Sequence, residues 1–312
     1  MPLWHARGMN LRFGMRDDAI SRARATRVAD ALRAAMGAQA PARSGEVVVV
    51  PVTVEPEDDG APVAADVFVA ALRVALVSGE CDAVIHDAAA LPLEESAELT
   101  VVAYLPAREP RLAYCSGGPE LAALAEGDRV VAMDARGGAQ VARLRDGLVV
   151  DVDPEAIATM LDGLEAGEIA AAVVPLADLD LAEVEPPFVL VLSVSDVVPG
   201  AGQGVVAIEV RADAPEGVVA ILAALDDSEA RVTVTAERAA MRGLAAGPAD
   251  PVSAYATVSG DDLHLHVRVT NLSGTLALND ELTGPADDPE FLGSNAARLL
   301  IGRGAARLMR SA

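Results

Sequence analysis

His86 and Asp87 are residues whose types and place invite chemistry. They follow the short apolar run Asp82-Ala83-Val84-Ile85, and the carboxyl ends of strands in open α/β sheets are where ligands and catalytic side chains gather. An imidazole beside a carboxylate offers general acid–base work. Yet the next three residues, Ala88, Ala89 and Ala90, can neither donate, accept nor carry charge. The stretch "GECDAVIHDAAALPL" therefore delivers its strand to a chemically blank place. Asp134 and Asp87 can be imagined as an acid pair, but no further ligand set accompanies them and no metal site is expected. Cys81 and Cys115 fall inside strand-like runs and read as small buried hydrophobes.

Charge narrows the choice of partner. The formal net charge of −23 argues against nucleic acid and against an anionic membrane surface. An anionic ligand would need a local cluster of arginines to overcome that field. No apolar run approaches the roughly 20 residues of a membrane span. The opening "MPLWHARGMNLRFGM" lacks the continuous apolar segment of a signal peptide. Two cysteines do not make a disulfide framework, so the cytoplasm is the expected location. At 312 residues and 52% hydrophobic, the chain has the profile of a soluble globular protein with two or three domains.

The elements that must position these residues show in the periodicity. Leu11–Met15 reads as a first strand, and "DDAISRARATRVADALRAAM" as a helix capped by Asp17 or Asp18. "EVVVVPVTV" is a second strand, near-continuous in valine as expected when both sheet faces are covered. "DVFVAALRVALVSG" is a helix ending at Gly79, and the opening stretch is the third strand. This βαβ series implies a parallel sheet. A second series follows: two strands in "LTVVAYLPAREPRLAYCSG", a helix in "PELAALAEG", a strand in "DRVVAMD", and a helix from Pro154 capped by Asp153. "AAAVVPLADL" is a strand with its loop. "PFVLVLSVSDVVPGAGQGVVAIEVR" is strand–turn–strand, turning at Gly202-Gln203-Gly204 and able to cross back to the first sheet. After Asp226 come a helix, an alternating meander in "SAYATVSGDDLHLHVRVTNLSG" and a closing helix in "PEFLGSNAARLLIGRGAARLM".

Five ordered segments resemble the porphobilinogen deaminase (hydroxymethylbilane synthase) family. "LRFGMRDDAI" is similar to its L-R-I-G-T-R-x-S, and "GECDAVIHDAAALPL" to D-x-A-V-H-S-x-K-D-x-P-T. "AREPRLAYCS" resembles R-E-D-P-R-D-A, and "VVPGAGQGVVAIEVR" resembles L-P-A-x-G-Q-G-A-x-G-I-E-x-R. "VTAERAAMRGLAAGPADPVSAYA" parallels V-T-A-E-R-x-x-x-x-x-L-x-G-G-C-Q-x-P-I-x-A-Y-A. The resemblance implies an α/β fold: two lobes with mostly parallel sheets, like type II periplasmic binding proteins, around a cleft, and a small C-terminal α+β domain. The expected boundaries are 11–105 with 204–222, 106–199, and 226–312. The family condenses four porphobilinogen molecules into hydroxymethylbilane, releasing ammonia, on a dipyrromethane cofactor tethered to a cysteine. A cleft aspartate stabilises positive charge on pyrrole nitrogen, and arginines hold the substrate carboxylates.

Matched residue by residue, this sequence departs from that pattern. Ala90 stands at the catalytic aspartate, Ala89 at its neighbouring lysine and Asp87 at a serine, while Pro248 stands at the cofactor cysteine. No family catalytic group is retained. Arg16 keeps a first-lobe position. Arg136 matches the first arginine of S-S-L-R-R-Q-A-Q, whose second arginine becomes Gly137 and whose serines become Met133 and Asp134. Pro154 and Met160 replace two more arginines of R-G-N-V-x-T-R. Arg16, Arg136, Gln203, His86 and Asp87 are the remaining candidates for contact with a small anionic pyrrole-type ligand. Gln203 and His86 also suit structural roles, and Arg111 suits an interdomain ion pair.

The expectation is a family member without ordinary deaminase activity and without a covalent cofactor, acting in tetrapyrrole metabolism as a binding or partner protein. An active synthase carrying dipyrromethane is one alternative. An enzyme with a changed reaction in the same cleft, dependent on His86 and Asp87, is another.

Overall fold

Valine- and alanine-rich runs build two five-stranded sheets, each wrapped by helices. The protein is seen in a computed structural model that describes residues 10–36, 47–54, 65–94, 96–247 and 250–310. The described residues form two compact units. One draws on Met1–Ala107 and Val205–Arg231, the other on Arg108–Gly204 and Val232–Ala312.

In the first unit, β1 (Leu11–Arg16), α1 (Ala19–Met36), β2 (Val47–Val52), α2 (Ala65–Ser78) and β3 (Ala83–Asp87) form the expected βαβ series, followed by β4 (Leu99–Tyr104). The second unit begins with β5 (Leu112–Ser116), β6 (Arg129–Ala132), α3 (Ala135–Leu144), β7 (Val149–Val152), α4 (Ala156–Ala166), β8 (Ala171–Pro175), α5 (Leu176–Leu181) and β9 (Phe188–Val191). The chain then returns to the first unit as β10 (Val206–Arg211) and α6 (Glu216–Ala223). Its last part comprises α7 (Ser228–Gly243), β11 (Val252–Ser259), β12 (Asp262–Thr270), β13 (Ala277–Pro285), α8 (Pro289–Gly302) and α9 (Ala305–Leu308).

The strand orders are β2-β1-β3-β10-β4 and β7-β6-β8-β5-β9, with a separate antiparallel β11-β12-β13 sheet. The first three strands of each large sheet run parallel, and β10 and β5 are the antiparallel members. This is the α/β arrangement of type II periplasmic-binding-protein lobes, plus a small α+β part. Phe13, Val28, Leu32, Ile85, Ile208 and Leu222 centre the first core. Tyr114, Val130, Val141, Val173 and Leu192 centre the second. Both cores consist of strand residues met by one face of a helix, where burial of apolar area is the main stabilising term.

Several local expectations are corrected. "PELAALAEG" makes only a single 3-10 turn, Leu121–Ala123, because so short a stretch cannot offset helix nucleation. A helix forms instead over the glycine-bearing "ARGGAQVARL", where Asp134 caps the first turn. Asp153 does not cap α4, which starts at Ala156. Its carboxylate accepts from the Glu155 amide and the Thr159 hydroxyl. β7 and β13 were not expected, and the closing helix breaks at Gly304, whose φ is +99°. The two strands flanking Gly202-Gln203-Gly204 lie in different sheets, so the segment does cross back. No helix among the described residues is long and apolar enough to cross a membrane.

Within the second unit, the C-terminal sheet is fastened to the α/β part by polar groups. Arg268, 7% exposed, donates to the Gln140 side chain at 3.0 Å, to the Ser195 carbonyl at 2.8 Å and to the Asp196 carbonyl. Gln140 in turn donates to Ser253 and accepts from the Val198 amide. Gly274, at φ +72°, sits so near α3 that a Cβ there would come within 2.1 Å of the Ala139 carbonyl oxygen.

Candidate functional site

β3 carries His86 and Asp87 to the end of the first unit's sheet, and their side chains take different partners. His86 is buried, with its Nε2 at 3.3 Å from a Glu209 carboxylate oxygen. The contact lacks hydrogen-bond alignment, so both ring nitrogens are buried without a hydrogen-bond partner. Glu209, on β10, is gripped by Arg73 of α2 through two hydrogen bonds at 3.0 and 2.8 Å. Burial disfavours the Glu209 carboxylate, but His86 and Arg73 outweigh it and hold its pKa below the ordinary value. His86 thus lies beside the buried Arg73–Glu209 ion pair.

Asp87 turns to the other side. One of its oxygens accepts from the Ala89 amide at 3.1 Å and the other from Arg24 at 2.9 Å. It caps a 3-10 turn formed by Ala88–Ala90. Ala88 is buried and its amide bonds the Val205 carbonyl, while Ala89 and Ala90 are half-buried. The turn therefore presents methyl groups where the resemblance has charged side chains. Arg16, at the end of β1, pairs with Asp18 at 3.1 Å and lies over the Phe68 ring, 4.1 Å from its centroid.

In the second unit, Asp134 follows the end of β6 and caps α3. One Asp134 oxygen accepts from the Gly137 amide at 2.7 Å, and the other accepts from Arg136 at 2.7 and 3.1 Å. Partial burial opposes ionisation of Asp134, yet Arg136 and the amides prevail and hold its pKa below the usual carboxylate range. Arg136 rests on Gly200, where an added Cβ would stand 2.8 Å from a guanidinium nitrogen. Gln203 accepts from the Gly200 amide at 3.1 Å and donates to the Pro110 carbonyl, so both ends of its amide hold the loop together. Arg111, expected in an interdomain ion pair, pairs with Glu109 of its own unit, two residues away at 2.7 Å.

Asp18 caps α1 as one of the two expected candidates, while sequence reasoning passed over Arg24, Arg73, Glu209 and Glu237. Glu209 had a signal: a lone acid in the apolar strand "VVAIEVR" announces a buried, paired charge. Glu237 is 5% exposed and accepts from the Gly202 amide at 2.7 Å and the Ala256 amide at 2.8 Å. Burial raises its pKa to about 8, with the two amides pulling the other way.

A thioether-linked cofactor needs a reachable thiolate. The chain has two cysteines, Cys81 and Cys115, and both are fully buried. Burial raises both thiols, Cys115 to about 11. These residues do not fit a covalent dipyrromethane. Pro248, at the family's cysteine position, lies outside the described residues. Among the described residues, no group of three or more His, Cys, Asp or Glu is placed to hold a metal ion.

Comparison with known proteins bears on the same architecture. Residues 11–218 match the family described as porphobilinogen deaminase, dipyromethane cofactor binding domain, and residues 231–302 match the porphobilinogen deaminase C-terminal domain. A porphobilinogen deaminase from Acidothermus cellulolyticus is 37% identical over 96% of this chain and 91% of its own. One from Stenotrophomonas maltophilia is 34% identical over 78% of this chain and 80% of its own. Among solved structures, the zinc-bound ligand-binding component of an ABC-type import system from Staphylococcus aureus is similar at TM-score 0.41 and 13% identity, over 74% of this chain and 73% of that one. That likeness is too slight to carry a functional argument. With both family domains matched in order and an identity of 37% across nearly the whole length, the chain belongs to the porphobilinogen deaminase family.

Proposed function

We propose that this protein is a non-catalytic member of its family, acting as a binding or partner protein in tetrapyrrole metabolism without condensing porphobilinogen. The observation that carries the reading is the Ala88–Ala90 turn. The family's condensation develops positive charge on pyrrole nitrogen, and a fixed carboxylate at that point is the strongest means of lowering such a barrier. Ala90 offers a methyl group. Asp87 is no substitute, since one of its oxygens caps the turn and the other holds Arg24. The two buried thiols argue the same way, because neither can prime a pyrrole chain.

The test is direct. Purified protein incubated with porphobilinogen is expected to release no ammonia above a blank and to show its unmodified mass. A covalent dipyrromethane increment together with ammonia release would overturn the reading. A second reading, an active synthase with substitute groups, is favoured by the 37% identity to a protein named as the enzyme. It requires that mass increment to map to a peptide of this chain.

A further inference from the structure

His266 sets a titratable ring beside the fastening that holds the C-terminal sheet to the α/β part of the second unit. It lies on β12 two residues before Arg268, so both side chains leave the same face of the sheet. Tyr255 of β11 and Glu281 of β13 are its direct cross-strand neighbours. Glu281 is exposed, with one carboxylate oxygen 3.9 Å from the ring Nδ1. The ring Nε2 is buried without a hydrogen-bond partner. Arg268, beyond it, donates to the Asn279 side chain of β13, to Gln140 and to the carbonyls of Ser195 and Asp196. The remaining basic groups nearby are Arg143 of α3, His264 of β12 and Arg303, which donates to the Asn279 carbonyl at 2.7 Å.

A proton on His266 brings a second cation into a half-buried row that already holds Arg268. Glu281 stands mostly in water, where its attraction is screened. Burial disfavours the imidazolium most and Arg268 adds to that, while Glu281 and Asn279 oppose without prevailing, so the ring's pKa lies below its ordinary 6.5. Arg268 is crowded in the same sense: burial and then Arg143 lower its pKa, against the pull of Asp196 and Glu281. We propose that His266 makes the docking of the β11–β13 sheet acid-sensitive, a conformational device in which uptake of one proton loosens the hold of Arg268 on α3 and on residues 195–196.

Once the sheet opens, the ring meets water and takes its proton near 6.5, whereas the docked ring takes it only at lower pH. Below 6.5 the open form therefore binds more protons, and opening gains at most about tenfold per pH unit from this one group. Above 6.5 the ring is neutral in both forms and docking is at full strength. Glu237 acts in the opposite direction, since its burial raises its pKa, so the test compares variants of the full chain. The reporters are amide hydrogen exchange in β12 and at Val198, whose amide bonds Gln140 at 2.8 Å.

Corrected for intrinsic exchange, opening is expected to increase by about threefold or more from pH 7.5 to 5.5 in the unaltered protein. In His266→Gln it is expected to stay level. His264→Gln, which alters an exposed ring bonded to Thr283, is expected to keep the increase. An unaltered protein whose opening does not change, or a His266→Gln variant that keeps the full increase, overturns the proposal. If His266→Gln does not fold, proton NMR titration of the His266 ring in the unaltered chain decides, and a midpoint at or above 6.5 overturns it.

Discussion

Glu237 brings its carboxyl into the interior of the second unit with backbone amides of Gly202 and Ala256 for partners. Its pKa near 8 is a statement about stability. In the unfolded chain this carboxyl loses its proton near the ordinary value of 4.5, while the folded protein keeps it to about 8. Between those values the native state binds more protons, so this group's contribution falls as pH rises, by at most about 1.4 kcal/mol per pH unit. Urea midpoints measured from pH 5 to 9 are expected to decline more steeply in the unaltered protein than in Glu237→Gln. Parallel profiles would contradict this origin. The same residue shows what the sequence could and could not reveal. "VTAERAAMRG" announces a helix, and the family likeness draws the eye to its motif, but nothing in one-dimensional spacing says that Glu237 turns inward. His86 and Asp87 were legible as chemistry-bearing types. Their partners, Glu209 and Arg24, stand 123 and 63 residues away and come close only through the sheet and helix.

Elements with clean periodicity were readable. The β1–α1–β2–α2–β3 series was, because valine runs and 3.6-residue spacing agree with the turn residues between them. α3 was not, since Gly137-Gly138 depresses helix propensity by about 1 kcal/mol per glycine. The structure offsets that with the Asp134 cap and with Val141 buried in the core. β13 was missed because its largely half-buried, polar "ALNDELTGP" lacks a clear apolar alternation and pairs with β12 along its length. Two tests belong at this scale. Arg268→Met strands the acceptors of a buried guanidinium, and a loss of roughly 2–4 kcal/mol is expected in urea denaturation. Gly274→Ala forces a side chain onto a left-handed backbone and against the Ala139 carbonyl. It should cost about 1–3 kcal/mol. Stabilities unchanged by both substitutions would show that the C-terminal sheet docks by other means.

For the whole molecule, the same fastening sets how many pieces behave independently. The resemblance suggests three domains, and the described residues group into two compact units, with 232–312 in the same unit as 108–204. We propose that the three-part division is one of architecture and that cooperativity follows the two units. Scanning calorimetry is then expected to resolve two transitions, with Arg268→Met splitting or broadening one of them. Three transitions in the unaltered protein would count against it.

The placement of β10 also bears on birth at the ribosome. This strand lies between β3 and β4, although 101 residues separate the end of β4 at Tyr104 from its start at Val206. Until translation reaches Arg211, the amino-terminal sheet has a gap between β3 and its edge strand β4, with two bare strand margins available to wrong neighbours. The nascent polypeptide must therefore wait, half built, while the intervening lobe is synthesised, and a ribosome stalled before that point would release an aggregation-prone fragment rather than a folded one.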